Sequence, residues 1–350
     1  MELLKSSIIA SLIALFCIWL LRPLAIRVGF VDRPNNRKCH GKEVPLIGGI
    51  ALFFSFCFSL LTLPISLLPH RGVLAGSGIL VLIGMVDDFS DLSSKLRLCG
   101  QLLAAFLMII CGNVVLANLG NLFFFGDLKT GLLAIPVTIL IILANINAMN
   151  MIDGQDGLTG NIALGQSLLL LFLSDKLNAR LDFRLLFILI VLLIVFLGFN
   201  MRLPWRKHAA IFMGDSGSTF IAFLLSWIAI DLSQQNSALV QPMTVLWIMA
   251  FPIFDLINVI ILRLRQRKPV LMASHDHLHH MLHVVGINTT LSTLLLSALS
   301  LLLGLFGLGL NYFMIPDAWQ FIFWIAALIL YICIIELTCR PSMAEVKRVL

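Results

Sequence analysis

Two adjacent acids, Asp87 and Asp88, with Asp91 one turn further on, interrupt a chain that elsewhere avoids charge. The apolar run 72–86 leads directly into them, so they fall where a membrane helix would leave the bilayer. Positions three and four apart share a helix face. Three carboxylates could therefore converge on a hard cation, or on a phosphate that carries one. A solvated, charged helix end is the plainer reading of the same residues. A second group, NINAMNMIDGQDGLTGN over 145–161, contains no Lys or Arg. In it Asn147, Asn150, Asp153 and Asp156 recur at a spacing of three, a donor set that suits a metal together with the hydrogen-bonding edge of a base or sugar. Gly154 and Gly157 would let the backbone turn and approach a ligand.

FMGDSGST, over 212–219, reads as a helix start. Gly214 and the hydroxyl residues after it could offer free backbone N–H groups to a phosphate, with Asp215 on the bridging cation, although Asp and Ser are also ordinary N-caps. Further on, Arg263, Arg265, Arg267 and Lys268 precede SHDHLHH at 274–280. Its four histidines could hold zinc. No cysteine is near, however, and the oxygen donors elsewhere point to Mg²⁺, so histidine and arginine donating to a substrate phosphate is the better fit. The basic, turn-rich segment 31–49 adds Lys38, with Arg33, Arg37 and His40, as a phosphate contact or as a topology signal.

The elements that must position these groups are membrane helices. Hydrophobic residues make up 60% of the 350, charged residues 12%, and the mean hydropathy is +1.02, which excludes an ordinary soluble domain. The seven cysteines are scattered through apolar runs with no paired spacing. Taking about 20 apolar residues per crossing, the chain reads as an all-α, polytopic membrane protein, one domain over 1–350, with spans at 7–24, 44–68, 72–86, 98–119, 130–148, 160–173, 184–199, 211–230, 240–262, 291–310 and 318–337. The first is an uncleaved helix, since no small-residue cleavage site follows it. An odd number of spans separates the termini. Of the 24 Lys and Arg, 18 fall on one set of loops and 6 on the other, which puts the N-terminus outside, the C-terminus in the cytoplasm and every polar motif on the cytoplasmic side.

At VDRPNNRKCHGKEVPLIGGI, VDDFSDLSSKLRLCGQ, NAMNMIDGQDGLTG, FMGDSGST and HLHH, in that order, the chain resembles the polyprenyl-phosphate N-acetylhexosamine-1-phosphate transferase superfamily. Within it the match is to the branch that starts enterobacterial common antigen and O-antigen synthesis, over nearly the whole length. The resemblance implies a cytoplasmic active site in which Asp87 and Asp88 are the catalytic acidic pair and Asp215 with Asn150 holds Mg²⁺, for which Mn²⁺ could substitute. It further implies that Asn147, Asp153 and Asp156 line the nucleotide-sugar face and that His277, His279 and His280 contact substrate phosphate. Arg263, Arg265 and Lys38 join them as cationic donors, with Asp91 and Gly214 in support. Two departures are Ala222, where relatives often have glycine, and His275-Asp276 ahead of the histidine motif.

The expected reaction is transfer of N-acetylglucosamine 1-phosphate from UDP-GlcNAc to undecaprenyl phosphate, releasing UMP, in a bacterial inner membrane. Expected partners are the UDP-sugar, undecaprenyl phosphate and membrane lipid, with a homodimer allowed and no nucleic acid. The alternatives within the superfamily are another UDP-N-acetylhexosamine donor or a UDP-MurNAc-pentapeptide donor, whose transferases typically carry three consecutive histidines where this chain has HLHH. A lipid or sugar transporter is a different class. It would place polar residues near the bilayer midplane and often show inverted repeats, whereas here they gather at one end.

Overall fold

A computed structural model describes residues 2–33, 43–235, 239–269 and 276–339, and Lys38 therefore lies outside the described residues. The chain is nearly all α-helix, with one two-stranded antiparallel ribbon pairing β1 (Val31–Asp32) with β2 (Val44–Pro45). The helices are α1 (Glu2–Val28), α2 (Gly48–Leu60), α3 (Arg71–Ser90), α4 (Ser94–Gly112), α5 (Ala134–Ile152), α6 (Leu158–Lys176) and α7 (Arg180–Asn200). They continue as α8 (Gly214–Gln235), α9 (Pro242–Ile248), α10 (Ala250–Arg265), α11 (Leu278–Val284), α12 (Thr289–Tyr312) and α13 (Asp317–Ile334).

Among the described residues, nine helices are long and apolar enough to cross a membrane, or ten if the bent pair α9 and α10 forms one span. This is a multi-pass membrane protein. Two expected spans differ in form. The stretch 44–68 yields only the 13-residue α2, about 20 Å at 1.5 Å per residue and short of a bilayer core. Its helix stops at Leu60, just ahead of Pro64, whose ring disfavours helical backbone before it. The stretch 240–262 is broken at Met249 by a 73° bend. Pro252 supplies the cause: it has no N–H to give, and its ring would clash with the carbonyl of Ile248 if the helix ran straight through.

The hub is α8. Inside its spanning window 94% of residues are buried, against 22% for α1, so α8 is surrounded by protein while α1 lies on the outside of the bundle. It packs on α2, α3, α5 and α6. Edge-to-face aromatic contacts join it to α2, with Phe220 5.4 Å from Phe53 and 5.9 Å from Phe56. At the start of α8 the approach is backbone to backbone: a Cβ on Gly84 of α3 would lie 2.3 Å from Ser216 N, and one on Gly49 of α2 would lie 2.2 Å from Gly217 N. The first amides of α2, on Gly48 and Gly49, donate to the carbonyls of Phe212 and Met213, each at 2.9 Å. Phe212 N in turn donates to Pro45 O at 2.9 Å. The segment that opens α8 is thus fixed from two sides before any side chain acts on it.

Candidate active site

The ends of α3, α5, α7 and α10 and the beginnings of α4, α6 and α8 meet at one end of the bundle, and the motifs separated by nearly 200 residues meet there with them. Asp88 and Asp87 diverge. Asp88 turns to α8, where Oδ1 accepts from Asp215 N at 2.9 Å and Oδ2 from Ser216 N at 3.4 Å. Two of the N–H groups expected to be free for phosphate are therefore taken by a carboxylate from another helix, an arrangement favoured by the positive end of the helix dipole. Gly214 makes room for it: φ is +72°, and a Cβ there would lie 2.5 Å from Asp88 Oδ2.

Asp87 turns to α4 instead. Its Oδ1 accepts from Leu92 N at 2.7 Å, while Oδ2 is buried, receives no hydrogen bond, and lies 3.4 Å from Arg97 Nε. Asp91 leaves the group altogether. The helix ends at Ser90 and Asp91 adopts a left-handed φ of 47°, exposed to solvent, so three carboxylates do not share a face. Aspartate tolerates this conformation better than most residues, which lets it cap a helix that has no glycine to do so.

Asp215 is the common neighbour, its charge acting on Asp87, Asp88 and Asp153 alike. Asn150 Nδ2 donates to Asp215 Oδ1 at 2.8 Å and to Ser218 Oγ at 3.0 Å. The amide thus meets Asp215 through nitrogen and orients it; its oxygen would reach a shared cation only after the amide turned over. Burial pushes the Asp153 carboxyl up to about 7, the Asp215 charge adds to this, and the Thr159 hydroxyl opposes both.

The remaining polar residues of 145–161 hold the loop. Asn147 Nδ2 donates to Gln101 Oε1 at 2.8 Å and to Leu143 O at 2.7 Å. Asp156 Oδ2 pairs with Arg202 Nε at 2.8 Å and accepts from Ala209 N at 3.3 Å. Asn200 Oδ1 accepts from Gly157 N at 2.8 Å, and Gln155 Nε2 donates to Thr289 O and to Thr293 Oγ1 at 2.8 and 2.6 Å. Gln101, Asn200, Arg202 and Thr293 were not singled out from the sequence, and isolated polar residues at helix ends give little signal alone.

The histidines divide. Buried His277 meets Asp255 Oδ2 through Nδ1 at 2.6 Å. His279 is also buried, its Nε2 without a partner, and the ring leaves no room for a Cβ on Gly154, which would sit 2.7 Å from Nε2. Burial holds its pKa well below the usual histidine value, as does the neighbouring His280. His280 stacks obliquely on His279 with centroids 4.0 Å apart. Of the arginines, Arg265 is engaged by Glu336 at 2.6 Å, while Arg263 is buried and feels the charge of Asp276.

Among the described residues, no three His, Cys, Asp or Glu side chains are grouped to enclose a metal ion. Mg²⁺ keeps several waters and is held by one or two carboxylates plus substrate phosphates, and Asp215 with Asp87 Oδ2, which lacks a hydrogen bond, beside it could hold one in that way.

A family model described as glycosyl transferase family 4 matches residues 70–233. An undecaprenyl-phosphate alpha-N-acetylglucosaminyl 1-phosphate transferase of Yersinia pestis is 34% identical over 315 residues, covering 89% of this chain and 85% of the relative. The chain belongs to the polyprenyl-phosphate N-acetylhexosamine-1-phosphate transferases of glycosyl transferase family 4. It is thus a phosphotransferase. Two more members carry the same description: one from Escherichia coli (strain K12), 30% identical over 89% of this chain and 84% of the relative, and one from Pasteurella multocida, 34% identical over 84% and 83%. The matched family region starts at the head of α3 and ends within α8, so it contains Asp87, Asp88, Asp153 and Asp215 at the meeting of α3 and α8, the acidic apex, but not Asp255 and the histidines of α10 and α11.

Proposed function

We propose that this protein transfers N-acetylglucosamine 1-phosphate from UDP-GlcNAc to undecaprenyl phosphate with the help of Mg²⁺ or Mn²⁺, releasing UMP and leaving undecaprenyl-diphosphate-GlcNAc. The product would begin an O-antigen or related surface polysaccharide. The observation that carries this reading is Asp87 Oδ2, buried beside Asp215 without a hydrogen bond and, among the described residues, with Arg97 at 3.4 Å as the cation that offsets the charge. An acidic apex left short of positive charge suits a reaction in which a cation arrives with a diphosphate. The names of the relatives support the acceptor and the sugar.

An acceptor phosphate oxygen attacks the β-phosphorus, forming one P–O bond, and the bond to the bridging oxygen breaks so that UMP leaves with its electron pair. The barrier is mainly repulsion between two phosphates. A cation held by Asp215 would supply charge neutralisation, with Asn150 orienting that carboxylate. Asp87 Oδ2 holds or takes the acceptor's proton, and Arg97 draws the acceptor phosphate towards it. Asp88 fixes the start of α8 so that Asp215 stays in place. The loop pinned by Asp156 and Arg202, with Asn147 and Asp153 on the same stretch, forms the nucleotide side.

The basic residues Arg97, Arg202, Arg206 and Arg263 lie at the acidic end of the bundle, which supports an active site facing the cytoplasm of a bacterial inner membrane, with the N-terminus outside. The test uses purified full-length protein in detergent with undecaprenyl phosphate, Mg²⁺ and, separately, UDP-GlcNAc, UDP-GalNAc or UDP-MurNAc-pentapeptide. UMP release with UDP-GlcNAc is expected. Release with the pentapeptide donor alone would move the protein to the peptidoglycan branch, and release with none would end the proposal.

A further inference from the structure

Asp255 sits within the apolar helix α10, only 1% exposed, and the sequence motifs leave it unexplained. A carboxylate at membrane depth is costly and persists only where it is matched. Three donors from three directions match it: Tyr331 Oη on α13 gives to Oδ1 at 3.0 Å, Leu278 N at the head of α11 gives to Oδ1 at 3.1 Å, and His277 Nδ1 meets Oδ2 at 2.6 Å. Asp255 is spent inside the protein. An ionised carboxylate can only accept, so His277 carries its proton on Nδ1, and Nε2, without a partner among the described residues, is the nitrogen left for a ligand. Tyr331 and Leu278 N share Oδ1 and so leave Oδ2 aimed at the ring.

We propose that Asp255 and Tyr331 are positioning residues that hold His277 in one ring orientation with Nδ1–H on Asp255, so that the ring can take a second proton at Nε2 and donate it in a hydrogen bond to a phosphate of the substrate. Neither residue touches substrate; each acts through His277. This deepens the transferase reading and rests on it for the identity of the ligand. The logic matches that of a carboxylate behind a catalytic imidazole, where the acid's amide replacement keeps the geometry but reverses the tautomer. In Asp255→Asn the amide oxygen can still accept from Tyr331 and Leu278 N, while its NH₂ meets Nδ1, so the ring's one proton moves to Nε2, Nδ1 can no longer hold a second, and the contact to phosphate loses its positive charge.

The experiment combines kinetics with ¹⁵N spectra of histidine-labelled full-length protein, using UDP-GlcNAc with undecaprenyl phosphate as the probe. In the wild type, His277 should show a protonated Nδ1, and added substrate should shift its Nε2. In Asp255→Asn the protonated nitrogen should change, and kcat should fall on the order of 100-fold with the KM for UDP-GlcNAc changing far less. Tyr331→Phe should give a smaller fall and keep the wild-type tautomer. A folded Asp255→Asn protein with unchanged spectrum or unchanged kcat would overturn the proposal, and so would an Nε2 that ignores substrate. Failure of the transferase reading would look different: no UMP from the wild type, with the Nδ1 signature of His277 intact.

Discussion

The acidic apex, where α3 meets α8, and the histidine corner, where α10 meets α11, solve opposite problems with the same side chain. At the corner every contact made by Asp255 is to a donor of the protein, two on Oδ1 and one on Oδ2. At the apex, Asp87 and Asp88 both lie against Asp215, and Asp87 Oδ2 has no hydrogen-bond donor. The carboxylate at the corner is matched and holds a side chain still; the one at the apex leaves Asp87 Oδ2 without a hydrogen bond. Within the apex the same contrast recurs between neighbours, since Asp88 closes a helix end while Asp87 stays open.

The sharpest way to break this comparison is to neutralise one acid in each region. Asp87→Asn should lower kcat by roughly 10²–10⁴-fold while leaving thermal stability equal or higher, because a buried, poorly matched charge is removed. Asp255→Ala should instead strand His277 Nδ1, Leu278 N and the Tyr331 hydroxyl, costing about 3–5 kcal/mol as judged for buried pairs that lose one partner. Thermal unfolding in detergent, read beside UMP release, separates the two. Equal losses of stability would erase the distinction.

A smaller effect is expected at Asp88. Asp88→Asn keeps an acceptor for Asp215 N and loses the charge at the α8 dipole, a change of about 1 kcal/mol in stability, with activity falling less than for Asp87→Asn. If Asp88→Asn proved the more damaging to turnover at unchanged stability, the roles assigned to the pair would be exchanged. Smaller again is the clamp on the nucleotide loop. Asp156→Asn and Arg202→Gln should each raise the KM for UDP-GlcNAc, and the double variant should be no worse than the weaker single one, since both break the same 2.8 Å pair. Additive losses would show that Asp156 meets the nucleotide directly.

How much of this was legible beforehand follows from which forces are local. The helical stretches announced themselves through apolar length, and the motifs that meet at the apex were all visible as polar interruptions. What Asp88 binds was not visible. It depends on α2 and α3 coming within backbone contact of α8 through Gly49 and Gly84, a tertiary fact that the spacing of residues does not encode. The divergence of Asp91 was hidden in a single left-handed residue at the end of α3. A lone carboxylate in the middle of an apolar run, as at Asp255, is a signal in its own right, but its partners His277 and Tyr331 lie 22 and 76 residues further along the chain, and no local pattern names them. The short α2 and the bent α9 and α10 trace to Pro64 and Pro252, both readable in the sequence but outweighed by hydropathy alone.

The central claim is that the apex is completed by a divalent cation and the corner is not. Its most direct measurement is Mn²⁺ binding, followed by electron paramagnetic resonance on full-length protein with UDP-GlcNAc, for the wild type, Asp215→Asn and Asp255→Asn. The account predicts bound Mn²⁺ in the wild type and in Asp255→Asn, and affinity reduced at least tenfold in Asp215→Asn, with partial recovery of UMP release at high metal. Undiminished Mn²⁺ binding in Asp215→Asn, or UMP release that persists in excess chelator, would contradict it.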